Sequence, residues 1–172
     1  MDKKILYVDM DGVCVDFDKL MNQLLPNVSM GDGDDYEARS AMVDEVALKY
    51  PTLFEDMEPI EGAITTINIL KSKYDIYFLS TPMCKIPESY MGKRKWLQKY
   101  FGEWVDKRLI LTHRKDLVIG DILIDDRIKN GAGEFKGTFI QFGSVVYPNW
   151  ERILQYLKKK KKYNDRFIYN IL

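Results

Sequence analysis

A parallel α/β fold is predicted for this 172-residue chain by three observations. Five short apolar runs recur along it, at Ile5–Asp9, Asp75–Ser80, Arg108–Thr112, Ile122–Asp126 and Thr138–Phe142. Stretches with helical spacing separate them, and alternating β and α segments imply a parallel sheet with helices on both faces. A hydrophobic content of 46% with 13% aromatics supports one globular domain large enough for a real core.

Taken in order, Ile5-Leu6-Tyr7-Val8 is an apolar run closed by a turn at Gly12, which reads as a buried parallel strand. The next strand begins only near Asp75, so about Val15 to Lys73 exceeds what one crossover helix needs. Helical patterns at Phe17–Leu25 and Tyr36–Tyr50, a Gly/Asp-rich loop at Gly31–Asp35, and turn signals at Pro51 and Pro59 fill the interval. Residues 18–58 are therefore expected to form a small helical cap, leaving 1–17 and 59–160 as the core and 161–172 as a tail. Ile64, Ile67 and Leu70 mark a core helix; Trp96, Leu97, Tyr100 and Phe101 mark a second. Trp150, Ile153, Leu154 and Leu157, spaced i, i+3, i+4, i+7, mark a third, which Lys158–Lys162 extends as a basic run.

Twenty-six basic and 26 acidic residues cancel, so no global field draws the chain to nucleic acid or to a membrane. Cys14 and Cys84 lack metal-ligand spacing and fit a reducing compartment. No stretch approaches the ~20 apolar residues of a membrane span, and the start carries no signal peptide. The expectation is a soluble, cytoplasmic protein, with a homodimer compatible.

Chemistry concentrates at strand ends, where ligands bind in open α/β sheets. Asp9-Met10-Asp11-Gly12-Val13 places two carboxylates at the end of the first strand, spaced to face one group. Like charges that close repel unless a cation joins them, which suggests Mg²⁺; an acidic turn is the equal alternative for this motif alone. A nucleophilic Asp and a proton-handling Asp together suit phosphoryl transfer. Ser80-Thr81-Pro82 can hold phosphate oxygens, though it also reads as a helix N-cap. Lys115 could neutralise phosphate and nucleophile together, with Arg114 a competitor and a solvated loop cation the alternative. Asp125-Asp126-Arg127 closes a buried strand with an acidic pair, which calls for a compensating cation. Asp32-Gly33-Asp34-Asp35 departs from a Ca²⁺ loop at Glu37 and Val43. His113 is the only histidine, which leaves a His-rich zinc centre unsupported.

Together, in this order, these elements resemble the haloacid dehalogenase superfamily of aspartate-dependent phosphatases, and within it the 5'(3')-deoxyribonucleotidases. Asp16-Phe17, Leu53-Phe54-Glu55, Glu58-Pro59-Ile60-Glu61-Gly62-Ala63, Trp96 to Gly102, and Leu111-Thr112 extend the resemblance over most of residues 4–157. It implies a Rossmann-like five-stranded sheet with a small helical cap inserted after strand one. It also implies a Mg²⁺-dependent phosphatase acting on a small phosphate ester, a deoxynucleoside monophosphate, through an aspartyl-phosphate. Asp9 would be the nucleophile, and Asp11 the acid/base that also gives Mg²⁺ its backbone carbonyl. Asp9 and Asp126 would be the carboxylate ligands of the metal, with Asp125 in support or exchanging roles with Asp126. Ser80, Thr81 and Lys115 would bind phosphate, and Lys93 would contact it more weakly. Phe17 matches an aromatic that sandwiches the base. The paired Phe-Trp expected later in the cap has no match in Asp34-Asp35-Tyr36-Glu37, where Tyr36 is the only aromatic. A phosphatase of polynucleotide ends and a catalytically silent binding module are the competing readings.

Overall fold

The computed structural model describes residues 3–26 and 36–168, with the side chains of 36–39 and 160–168 left aside. The acidic loop at 31–35, the side chains of Tyr36 and Glu37, and those of Lys160–Lys162 therefore lie outside the described residues. Five parallel strands, β1 (Lys4–Val8), β2 (Tyr74–Ser80), β3 (Leu109–Leu111), β4 (Ile122–Asp125) and β5 (Thr138–Gln141), form one sheet in the order β3-β2-β1-β4-β5. Each matches an apolar run of the sequence to within one residue at either end.

β1 lies between β2 and β4, with Val8 in register with both Phe78 and Ile124. The chain leaves β1 toward β2 and β3 and returns on the other side as β4 and β5. Such a reversal opens a crevice at the strands' carboxyl ends. The ends of β1 and β4 meet there, and the amide of Asp9 donates to the Ile124 carbonyl at 2.9 Å.

Alternate strand residues divide between two unequal layers. Leu6, Val8, Ile76, Phe78, Ile122, Ile124 and Ile140 face a large core with α4 (Ala63–Leu70), α5 (Pro87–Phe101) and α6 (Trp150–Ile168). Each such side chain, fully buried, contributes about 1.5–3 kcal/mol. The opposite face carries Tyr7, Leu79 and Leu123, packed with Ala132 and Phe135. Among the described residues no α-helix covers it, which corrects the expectation of helices on both faces. Right-handed crossovers put the β3–β4 and β4–β5 connections on this face. They span only 112–121 and 126–137, at or below the dozen or so residues of a helical crossover, and hold one 3₁₀ turn at Lys115–Leu117.

Between β1 and α4 the chain forms α1 (Phe17–Leu24), α2 (Tyr36–Lys49) and a single helical turn, α3 (Leu53–Asp56). Asp16 caps α1, its carboxylate accepting from the Lys19 amide. The segment leaves and rejoins the core side by side: Asp16 N–H donates to Glu58 C=O at 2.9 Å, and Ile60 N–H to Cys14 C=O at 2.8 Å. Two buried indoles pin the neighbourhood, Trp150 Nε1 on the Val13 carbonyl at 2.8 Å and Trp96 Nε1 on the Met57 carbonyl at 2.7 Å. Among the described residues, no helix is long and apolar enough to cross a membrane.

Candidate active site

The strand-end motifs converge on one cleft of about 420 Å³, within the range of small-molecule sites. Its core wall carries Asp9, Asp11, Ser80, Thr81, Lys115 and the Asp125–Asp126 pair. Gly12 makes the convergence possible. Its φ of +74° suits glycine, and a Cβ there would collide with the Asp126 carboxylate. The turn after β1 can thus lie against the end of β4.

Asp9, Asp125 and Asp126 each bring a carboxylate oxygen within 4.8 Å of the others. Lys115 reaches into this group from its 3₁₀ turn and is almost fully buried. Its Nζ lies 2.9 Å from Asp9 Oδ1 and donates to Asp125 Oδ2 at 2.5 Å. The Asp9 contact is an ion pair away from hydrogen-bonding angles, so Asp9 Oδ1 is buried without an aligned donor, as is Ser80 Oγ. Arg114, the competing cation, turns outward to pair with Asp116 and takes no part.

Lys115, with Arg127 Nε 3.3 Å from Asp126 Oδ2, sets two cations against three carboxylates and leaves excess negative charge. Burial, reinforced by the Asp9 charge, pushes the Asp125 carboxyl up to about 7 and Asp126 to about 6, although Lys115 and Arg127 oppose the rise. Burial alone would lower the Lys115 pKa, but Asp9 and Asp125 outweigh it and hold the ammonium above its ordinary value. Three carboxylates with an oxygen each within 4.8 Å of the others, Asp9 Oδ1 lacking an aligned hydrogen-bond donor, form an all-oxygen donor set that fits a hard divalent cation such as Mg²⁺.

Thr81 lines the cleft, but its hydroxyl donates to the Thr112 carbonyl at 2.9 Å, which ties the β2 loop to the β3 loop. Its hydroxyl proton is thus committed, and the backbone amide is what Thr81 offers an anion. His113 sits beside this junction, its Nε2 2.9 Å from the Pro82 carbonyl and 3.1 Å from Cys84 Sγ. It braces the loops rather than a triad. Cys14 is buried against the Asp9 carbonyl, and burial pushes its thiol well above the ordinary value, so it stays neutral.

The facing wall comes from the inserted segment: Phe17 on α1, Ser40, Val43 and Asp44 on α2, and Phe54 on α3. Among these, sequence reading singled out Phe17 as a site residue. Val43 and Asp44 carry no periodic or motif signal that would have found them. Lys93 is buried on α5, and its Nζ donates to Asp11 Oδ2 at 2.5 Å.

Residues 3–156 match the family described as 5' nucleotidase, deoxy (pyrimidine), cytosolic type C protein (NT5C). A Vibrio phage KVP40 protein, provisionally named a 5'(3')-deoxyribonucleotidase, is 42% identical over 161 residues, covering 94% of this chain and 88% of its own length. The human 5'(3')-deoxyribonucleotidase, cytosolic type, is 30% identical over 165 residues, covering 86% of this chain and 77% of its own. Among solved structures, a Bacillus subtilis hydrolase provisionally placed in the haloacid dehalogenase superfamily, crystallised with magnesium, superposes with a TM-score of 0.62 at 14% identity. That superposition covers 92% of this chain and 100% of the other. A haloacid dehalogenase superfamily hydrolase of Geobacter sulfurreducens gives 0.57 at 14% identity, over 90% and 96% of the two chains.

Proposed function

Because the chain belongs to the 5' nucleotidase, deoxy (pyrimidine), cytosolic type C family, and is accordingly a phosphomonoesterase, we propose that it hydrolyses a deoxynucleoside monophosphate through an aspartyl-phosphate on Asp9, with Mg²⁺ as cofactor. The observation that carries this reading is the buried Asp9 carboxylate. It is 6% exposed, ion-paired to Lys115 and grouped with Asp125 and Asp126, with Asp11 two residues away on the same cleft wall. The names of the relatives support the substrate class.

Asp9 attacks phosphorus while Asp11 protonates the departing sugar oxygen. Asp11 then takes a proton from a water, which attacks the same phosphorus and frees Asp9. Ser80 Oγ and the Thr81 amide hold phosphate oxygens, and the Lys115 ammonium balances the charge that gathers between phosphate and Asp9. Mg²⁺ would be held by the Asp9 and Asp126 carboxylates and the Asp11 carbonyl. Bound there, it supplies charge neutralisation and polarises a phosphate oxygen. Both oxygens of Asp125 already have donors, Lys115 Nζ on Oδ2 and the Arg127 amide on Oδ1 at 3.0 Å. This supports Asp126 as the direct ligand and Asp125 as the residue that holds Lys115. A cleft walled by Phe17 and not by Lys158 or Lys159 supports a mononucleotide over a polynucleotide end.

The test is phosphate release from a panel of nucleoside monophosphates, simple esters and 5'-phosphorylated oligonucleotides, with and without Mg²⁺. Mg²⁺-dependent release from deoxynucleotides, with ³²P retained on the wild-type protein after acid quench and absent from Asp9→Asn, is the expected result. Release from no ester would sink the catalytic reading, and preference for oligonucleotides would sink the substrate.

A further inference from the structure

We propose that Lys93 is a positioning residue for Asp11, holding one oxygen of its carboxylate so that proton transfer occurs from a fixed place. The inference rests on the acid/base role given to Asp11 above. Three observations lead to it. Lys93 sits mid-way along α5 with a side chain 1% exposed, whereas Asp11 is about one third exposed and lines the cleft. The ammonium donates to Asp11 Oδ2 at 2.5 Å and lies 5.5 Å from the Phe54 ring centroid. The surrounding packing leaves it little room to move. A Cβ on Gly92 would strike the Phe54 side chain, so α5 and α3 approach at glycine distance. One turn on, Trp96 bonds the Met57 carbonyl and fastens the same two segments.

A buried ammonium is costly without a partner, and Asp11 is the carboxylate that meets it. The pair is therefore not a surface ornament: α5, a core helix, supplies a buried cation to a side chain that, on the proposed role, hands over a proton. The alternative role, direct contact with phosphate, would draw the ammonium from the Asp11 carboxylate to which it donates. Fixed placement matters because a displacement of about 1 Å in a reacting group can cost on the order of 100-fold in rate.

The variants are Lys93→Met, which keeps length and removes charge and donor, and Lys93→Gln, which keeps an N–H donor. Asp11→Asn is run in parallel, all with Mg²⁺ present. For a deoxynucleoside monophosphate, whose alcohol is a poor leaving group, Lys93→Met is expected to lose about 10–100-fold in kcat. KM, and the inhibition constant of inorganic phosphate, are expected to stay within about twofold. With p-nitrophenyl phosphate, whose leaving group needs no proton, the first-turnover burst is expected to survive while steady-state turnover falls. Lys93→Gln is expected to fall between wild type and Lys93→Met; if Lys93→Met does not fold by circular dichroism, Lys93→Gln alone decides, against the same criteria. A raised KM and phosphate inhibition constant would make Lys93 a phosphate ligand. Equal loss of the nucleotide rate and the burst would make it only structural, and unchanged kcat would remove any role. Each of these overturns the proposal. Intact turnover in Asp11→Asn would instead overturn the acid/base reading beneath it.

Discussion

The two walls of the cleft are built on different terms. On the core wall, Asp9, Asp125 and Lys115 are each at least nine-tenths buried, and they are fixed by β1 and β4 lying in register and by ion pairs between them. The inserted wall offers Phe17, Ser40, Asp44 and Val43 from two helices that meet the core through a two-strand neck and through α3. Strand ends set side chains to a fraction of an ångström, as attack and proton transfer require. A helical insertion can vary without disturbing them. On the proposed function, chemistry and selectivity would be separated in space, and each wall could be changed alone.

The sharpest way to break the comparison is to attack one wall and find that the other property is lost. Asp9→Asn is expected to reduce turnover of every ester by on the order of 10⁴-fold or more, since loss of a covalent nucleophile is among the largest single-residue effects. Binding of a deoxynucleotide, measured by calorimetry with Mg²⁺ present, is expected to remain. Next in size is Phe17→Ala. Stacking of a base on an aromatic ring is worth about 1–3 kcal/mol, so kcat/KM for deoxynucleotides is expected to fall by about 5–150-fold. The rate with p-nitrophenyl phosphate, which has no base, is expected to hold within about threefold. An equal fall for both substrates would show that the inserted wall serves the chemistry itself.

Sequence alone reached the core wall because its residues follow apolar runs, and a run of four apolar residues ending in Asp is a strong local signal of a strand terminus. Asp9, Ser80 and Asp126 end or directly follow such runs, Lys115 lies four residues past β3, and the superfamily resemblance joins them. Three things stayed hidden for physical reasons. Val43 and Asp44 face the cleft only because α2 is folded back over it, a tertiary relation with no local mark. Lys93 looks like any helical lysine until α5 is packed against the β1 turn. The missing helical layer lies at the short connections 112–121 and 126–137, which hold one 3₁₀ turn and which alternation of α and β patterns does not register.

The core wall also carries a dependence on pH that the inserted wall does not share. Asp125 and Asp126 are raised to about 7 and about 6 in the folded protein, against an ordinary value of 3.8. Between those values the folded state holds protons that the unfolded chain has lost, so stability falls as pH rises through the interval. The metal-free protein is therefore expected to melt at progressively lower temperature from about pH 4 to pH 7, relative to Asp125→Asn, in which the trend is reduced. Mg²⁺ binds the deprotonated carboxylates, and its stabilisation is expected to be larger at pH 7.5 than at pH 5. Scanning calorimetry in chelator and in Mg²⁺ reads both. A metal-free melting temperature that rises over this range relative to Asp125→Asn would contradict the excess negative charge assigned to the site.

The smallest effect is expected where the walls visibly touch. Lys85, after β2, reaches Asp44 on α2 at 3.5 Å, a bridge across the cleft mouth that invites the name of a latch. Yet the lysine is 81% exposed, and exposed pairs of this kind contribute about 0–1 kcal/mol. Lys85→Ala is expected to change stability in urea by about 0.5 kcal/mol or less, and kcat/KM for a deoxynucleotide by less than about threefold. The inserted wall has a firmer anchor elsewhere, in the close approach of α3 to Gly92 and the Trp96–Met57 bond beneath it. A loss of tenfold or more in Lys85→Ala would move that anchor to the mouth, and would make closure of the cleft, rather than the packing of α5 on α3, what holds the two walls in register.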